Sequence, residues 1–227
     1  MSRSTARLLH AVVAALCWGS LAVDVVALPL TEPAEPAPLL ARYVELFSYF
    51  TILSVLLVGV VSTLLAVDPE RDGRLLRVLR LDSLVCITVT GVVYHLLLRS
   101  THDVQGVYVV TNLLDHTVVP VLAVLVWLLV GPRPRTDART ALLAVVLPLV
   151  WVGWTFVRGS VVGSYPYPYL DVTEIGAATA AVNTAGVAVG FLTLAALVTV
   201  AERLLPPAPR SGTRVQTESA EPVDVRA

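Results

Sequence analysis

The chain has 227 residues, 56% of them hydrophobic and 15% charged, with a mean hydropathy of +0.78 and a formal net charge of -1. That composition lies outside the globular norm and makes a bilayer its natural solvent, while the lack of a concentrated basic surface excludes nucleic acid as a partner. All 16 basic residues are arginine, so chemistry that needs a Schiff-base lysine, retinal binding included, is excluded as well.

A spanning helix needs about 20 apolar residues. Six runs qualify, over 8–28, 45–67, 81–98, 109–130, 141–157 and 175–201. The expected fold is all-α: a polytopic membrane protein with a bundle of six transmembrane helices over 1–205. The tail over 206–227 is rich in Pro, Ser, Thr and Glu, which predicts disorder. Arg3 and Arg7 precede the first run, and Val25-Val26-Ala27 offers a signal-peptide cleavage site as an alternative. The length of the run from Leu8 to Leu28, and Asp24 beside that site, favour a retained helix. Cys17 and Cys86 lie inside apolar runs and read as small buried hydrophobes. The connections carry breakers and charges: Pro29 to Pro38 with Glu32 and Glu35, Asp68-Pro69-Glu70, and Gly131-Pro132-Arg133-Pro134. Along the chain the arginines fall in groups of 2, 1, 4, 1, 3, 1 and 4, so 13 of 16 lie on one side. The positive-inside rule then places both termini in the cytoplasm and the protein in the cell (cytoplasmic) membrane.

Ionisable residues inside a span cost about 2.5–3.5 kcal/mol on insertion and mark functional interiors. Here they share one depth. Asp24 stands near the outer end of the first span, Thr51 near the outer start of the second, and His95 near the outer end of the third. Asn112, Asp115 and His116 enter the fourth span from the same side. At about 1.5 Å per residue all lie within about 10 Å of the outer surface. No comparable set is expected near the inner surface, so a polar pocket opening outward among the first four helices is predicted. Snorkelling or interhelical bonding is the bland alternative. Pro120 cannot donate to the His116 carbonyl and predicts a kink. Asn112, one turn before His116, is placed to orient the imidazole, whereas Asp115 is turned about 100° away.

Thr51 has a structural alternative, a bond back to the Phe47 carbonyl. A hydroxyl becomes a nucleophile only beside a base, and a histidine at the same depth on a neighbouring helix supplies one. The outer loop contains Arg158-Gly159-Ser160 and then Tyr165-Pro166-Tyr167-Pro168-Tyr169-Leu170-Asp171. Alternating proline extends the backbone, and its tyrosines are either interfacial belt residues or a cap on the pocket. Trp18, Trp127, Trp151 and Trp154 read as belt or packing residues.

Tyr49-Phe50-Thr51, the Asn112-Leu113-Leu114-Asp115-His116 segment followed by Pro120, and the Tyr-Pro-Tyr-Pro-Tyr-Leu-Asp loop together resemble the androgen-induced, FAR-17a-like family of six-helix membrane proteins. The likeness runs from about 8 to 201, and the loop looks most like the bacterial branch, which implies a bacterial inner membrane. Animal members hydrolyse fatty acid esters of hydroxy fatty acids with an intramembrane threonine and histidine, and Thr51 and His116 correspond to these by position. The resemblance implies an enzyme of lipid metabolism that takes a lipophilic ester from membrane lipid and needs no cofactor or metal.

Three functions remain open. In the first, His116 takes the Thr51 proton, Thr51 attacks an ester carbonyl, and Asn112, Arg158 or His95 stabilises the oxyanion, with Asp24 in the same polar set. In the second, His95 and His116 ligate haem or a metal. The third is a binding, transport or structural role without chemistry. Acyl chain length and oligomeric state are not encoded in any motif.

Overall fold

The structure, a computed structural model, describes residues 2–32, 36–100 and 104–208. Six helices are long and apolar enough to cross a bilayer: Arg3–Leu30 (α1), Phe50–Val67 (α2), Arg74–Leu98 (α3), Tyr108–Val130 (α4), Ala138–Val162 (α5) and Ala177–Leu204 (α6). Among the described residues there is no β-strand, so the fold is the all-α six-helix bundle read from the sequence. The chain is an integral, multi-pass membrane protein. The predicted tail falls outside the described residues beyond Ala208, which pairs backbone to backbone with Arg133.

Apolar side chains cover the helices on all sides, as a lipid solvent requires. Burial inside the protein therefore reports helix packing rather than hydropathy. In α2 and α3, 61% of the residues in the most apolar stretch are buried by other helices, against 17% in α6, so α2 and α3 form the centre. Helix α1 lies against α2, and Gly59 sets their approach: a Cβ there would stand 3.2 Å from the Cys17 Cβ and 3.3 Å from the Trp18 ring. Small residues serve this purpose between membrane helices, where close backbone contact replaces a hydrophobic driving force. Helix α4 closes a four-helix core against α1 and α3. Helix α6 and the first turns of α5 lean on α3, while the stretch Val146–Val162 of α5 makes scarcely any backbone approach to α6.

Side chains cap the starts of α1 and α5. Ser2 accepts a hydrogen bond from the Thr5 N–H at 3.1 Å, and Asp137 accepts one from the Thr140 N–H at 2.7 Å. Helix α5 ends at Gly163, whose φ of 69° is left-handed.

The second span starts later than its apolar run. A short helix, Leu39–Leu46, precedes it, and the chain breaks at Phe47–Tyr49 before α2 begins at Phe50. The broken turn is satisfied from α5. Trp151 Nε1 donates to the Ser48 carbonyl at 2.9 Å, and Trp154 Nε1 donates to Ser48 Oγ at 3.0 Å. These two tryptophans, read as belt or packing residues, hold the start of α2 in place.

A second buried polar set lies at the arginine-rich end, where the sequence predicted none. Glu202 accepts from Arg80 Nη2 at 2.5 Å, Trp127 Nε1 at 3.2 Å, the N–H groups of Arg135 and Thr136 at 2.7 and 2.9 Å, and Thr136 Oγ1 at 2.9 Å. Arg80 and Glu202 each stand one residue beyond an expected apolar run. Read along the chain they count as loop residues, but both turn inward and pair.

Candidate functional site

Thr51 is the second residue of α2, in the first turn, where backbone N–H groups have no intrahelical acceptor. Because the chain breaks at Phe47–Tyr49, Phe47 is not one helical turn below it. The hydroxyl faces helix α4 instead, and Thr51 Oγ1 lies 3.2 Å from His116 Nε2.

His116 sits in a π-helical turn, Leu114–Val118, immediately before Pro120. The Val119 N–H bonds to the Leu114 carbonyl, five residues back, so the wide turn accommodates the proline. The His116 carbonyl faces α3, where a Cβ on Gly91 would stand 3.3 Å from it and 3.0 Å from the Pro120 Cβ. His116 Nδ1 lies 3.1 Å from the Asn112 carbonyl oxygen. A carbonyl only accepts, so Nδ1 is the donor here; in the neutral ring Nε2 then presents its lone pair to the Thr51 hydroxyl.

The ring is held on its face as well. Tyr94, in the π-helical turn Tyr94–Leu98 of α3, stacks on it with centroids 4.2 Å apart and planes at 27°. The Tyr94 hydroxyl accepts from Asn112 Nδ2 at 2.7 Å. Asn112 therefore orients the imidazole through its backbone and through Tyr94, not by direct side-chain contact.

Thr51 and His116 face a cleft with about 830 Å³ of empty space, counted out to its mouth. Its walls are apolar residues of α3, α5 and α6, among them Val89, Leu149, Val187 and Phe191. From Val152 to Val145 on α5, and from Thr184 to Phe191 on α6, the cleft runs about 10 Å along the helices at about 1.5 Å per residue. The outer loop closes one end with Tyr167, Tyr169 and Leu170. Tyr167 is 5% exposed, and its hydroxyl accepts the Phe50 N–H at 3.0 Å. Burial pushes the Tyr167 phenol up to about 12, despite its contacts with the Thr51 hydroxyl and amide, and raises Tyr169 as well. Asn183 anchors the loop to α6 by donating to the Tyr169 carbonyl at 2.9 Å.

The other residues named from the sequence lie elsewhere. His95 Nε2 is 3.0 Å from Thr117 Oγ1, in a separate cleft between α3 and α4 that also touches His116. Asp24 is buried against Thr111, and Asp115 turns toward Ser20 and Asp24, so this acidic pair belongs to the α1–α4 contact. Arg158 Nη1 donates to the Ser164 carbonyl at 3.1 Å and does not line the cleft. Among the described residues no three His, Cys, Asp or Glu side chains converge as metal ligands would. Tyr94 escaped the sequence reading because a tyrosine at a span end has the signature of a belt residue, whereas Tyr167 lies in the loop whose tyrosines the sequence offered as a cap on the pocket.

No protein-family model, curated protein or solved structure matches the chain.

Proposed function

We propose that the protein is an intramembrane threonine hydrolase acting on lipid or fatty-acid esters, with Thr51 as nucleophile and His116 as base. The observation that carries this reading is the 3.2 Å contact between Thr51 Oγ1 and His116 Nε2, at the edge of an apolar cleft. Nucleophile, base and a group that orients the base are the parts an acyl-transfer site needs. Thr51 Oγ1 attacks the ester carbonyl carbon as its proton passes to Nε2, and the carbonyl π electrons move to oxygen. Collapse of the tetrahedral intermediate breaks the bond to the alcohol, which leaves with the proton from Nε2. Nε2 then deprotonates water, which adds to the acyl-Thr51 ester. Collapse returns the proton to Thr51 Oγ1 and releases the carboxylic acid.

The apolar lining supports a substrate with a hydrocarbon chain, since burying apolar area is worth about 25 cal/mol per Å². The arginine distribution supports cytoplasmic termini, a cell-membrane location and an outward-facing Thr51. Treatment of the folded protein with a fluorophosphonate probe, followed by mass-spectrometric site mapping, is expected to place the adduct on Thr51 and to lose it in His116→Ala. A folded protein that takes no label at Thr51 overturns the assignment.

A further inference from the structure

We propose that Tyr167 is a further catalytic residue of this site, its hydroxyl donating the hydrogen bond that holds the ester carbonyl oxygen as that oxygen becomes negative. The inference rests on the threonine-hydrolase reading above. When Thr51 Oγ1 bonds to the carbonyl carbon, the displaced π electrons give an oxyanion that needs donors already in place, in a site closed to water. The sequence suggested Asn112, Arg158 or His95 for this task. Neither Asn112 nor Arg158 lines the cleft: Asn112 Nδ2 donates to Tyr94 and Arg158 Nη1 to the Ser164 carbonyl, and His95 lies in the other cleft.

Tyr167 lines the same cleft as Thr51 and His116 and is almost wholly buried. Its oxygen accepts the Phe50 N–H at 3.0 Å, which leaves the O–H proton to be given away. It also touches the Thr51 hydroxyl, so the donor stands beside the atom that attacks. Because burial raises its pKa to about 12, the phenol stays protonated, and therefore a donor, throughout the working range of a histidine base. The ring has little freedom. It stacks on Tyr169 with centroids 5.4 Å apart and meets Tyr49 and Trp151 edge-on, each at 5.9 Å. The Phe50 and Thr51 amides of the first turn of α2 lie against the Tyr167 oxygen and bring the positive end of the helix dipole to it. The titratable groups around Tyr167 are His116 from α4, Tyr49 before α2 and Tyr169 in its own loop.

The test uses the full-length protein in detergent, a fatty acid ester of a hydroxy fatty acid as substrate, and released acid as the readout. Tyr167→Phe keeps the ring and removes the donor; kcat is expected to fall about 10²–10³-fold with KM changed less than threefold, the range seen when one oxyanion donor is removed. A capping role alone lowers thermal stability and leaves the turnover of folded protein near that of the parent. Fluorotyrosines at position 167 decide the matter even where Tyr167→Phe does not fold. Each added fluorine acidifies the phenol, and a phenolate cannot donate, so the alkaline limb of kcat should move to lower pH with fluorine count. An alkaline limb that stays put, or a folded Tyr167→Phe within twofold of the parent kcat, overturns the proposal. Thr51→Ala separates the two readings. If it is inactive while Tyr167→Phe is parent-like, only the Tyr167 assignment falls. If Thr51→Ala is as active as the parent, both fall.

Discussion

At Thr51 a single oxygen distinguishes chemistry from scaffolding. Thr51→Ala removes the hydroxyl at a position where a helix tolerates alanine, so hydrolysis should vanish while the protein stays folded. Thr51→Ser keeps the hydroxyl but loses the β-branch that restricts χ1, so turnover should persist at a lower rate. A structural threonine predicts another pattern: both variants shift stability by about 1 kcal/mol and activity follows the amount of folded protein. His116→Ala should match Thr51→Ala in lost turnover, and the double variant should lose little more, because members of one catalytic unit are non-additive. Initial rates at equal concentrations of folded protein check all four. The pair itself was legible in the sequence as two groups at one depth on neighbouring spans. What holds the imidazole was not legible. Tyr94 and His116 each stand in a π-helical turn, one in α3 and one in α4, where their rings stack, and a π turn leaves no compositional mark.

The element that positions His116 is this wide turn of α4 pressed on Gly91 of α3. Pro120 revealed the disturbance in sequence, and the expected kink takes the form of a π turn just before it. A Gly91 Cβ would meet Pro120 at 3.0 Å and the His116 carbonyl at 3.3 Å, so Gly91→Ala must push α4 away. Gly153 of α5, also helical, has nothing within 4 Å of a Cβ and serves as the control. Glycine to alanine in an open helix position is worth up to about 1 kcal/mol of stabilisation. Gly153→Ala should therefore leave thermal stability equal or higher and turnover unchanged. Gly91→Ala should reverse the sign, costing about 1–3 kcal/mol as overpacking does, and lower kcat at least tenfold. Parent-like turnover in Gly91→Ala would mean that the α3–α4 contact does not set the position of His116. The start of α2 carries the same lesson. Its apolar run continues back through residue 45, and only the indole donors of Trp151 and Trp154, contributed from a distant helix, show that the helix breaks at Ser48.

Across the whole molecule, hydropathy and arginine placement made the six spans legible, because the bilayer imposes length and composition on each helix separately. The buried cluster at the arginine-rich end was hidden because Arg80 and Glu202 become interior residues only by pairing with each other. Which end faces the cytoplasm is open to direct measurement. Positive-inside placement puts the loops around Arg71 and Arg139 in the cytoplasm, and those around Leu40 and Ser160 outside. All four positions are exposed, whereas the native Cys17 and Cys86 are fully buried and give little background. Single cysteines at each position, treated in intact cells with a membrane-impermeant maleimide, should label at Leu40→Cys and Ser160→Cys alone. Arg71→Cys and Arg139→Cys should label only after the membrane is opened. The reverse pattern would turn the bundle over and place Thr51 at the cytoplasmic surface. The cleft would then draw its ester from the inner leaflet, with the Thr51–His116 geometry unchanged. Labelling of adjacent loops from the same side would be incompatible with six crossings, because every connection between successive spans must change sides.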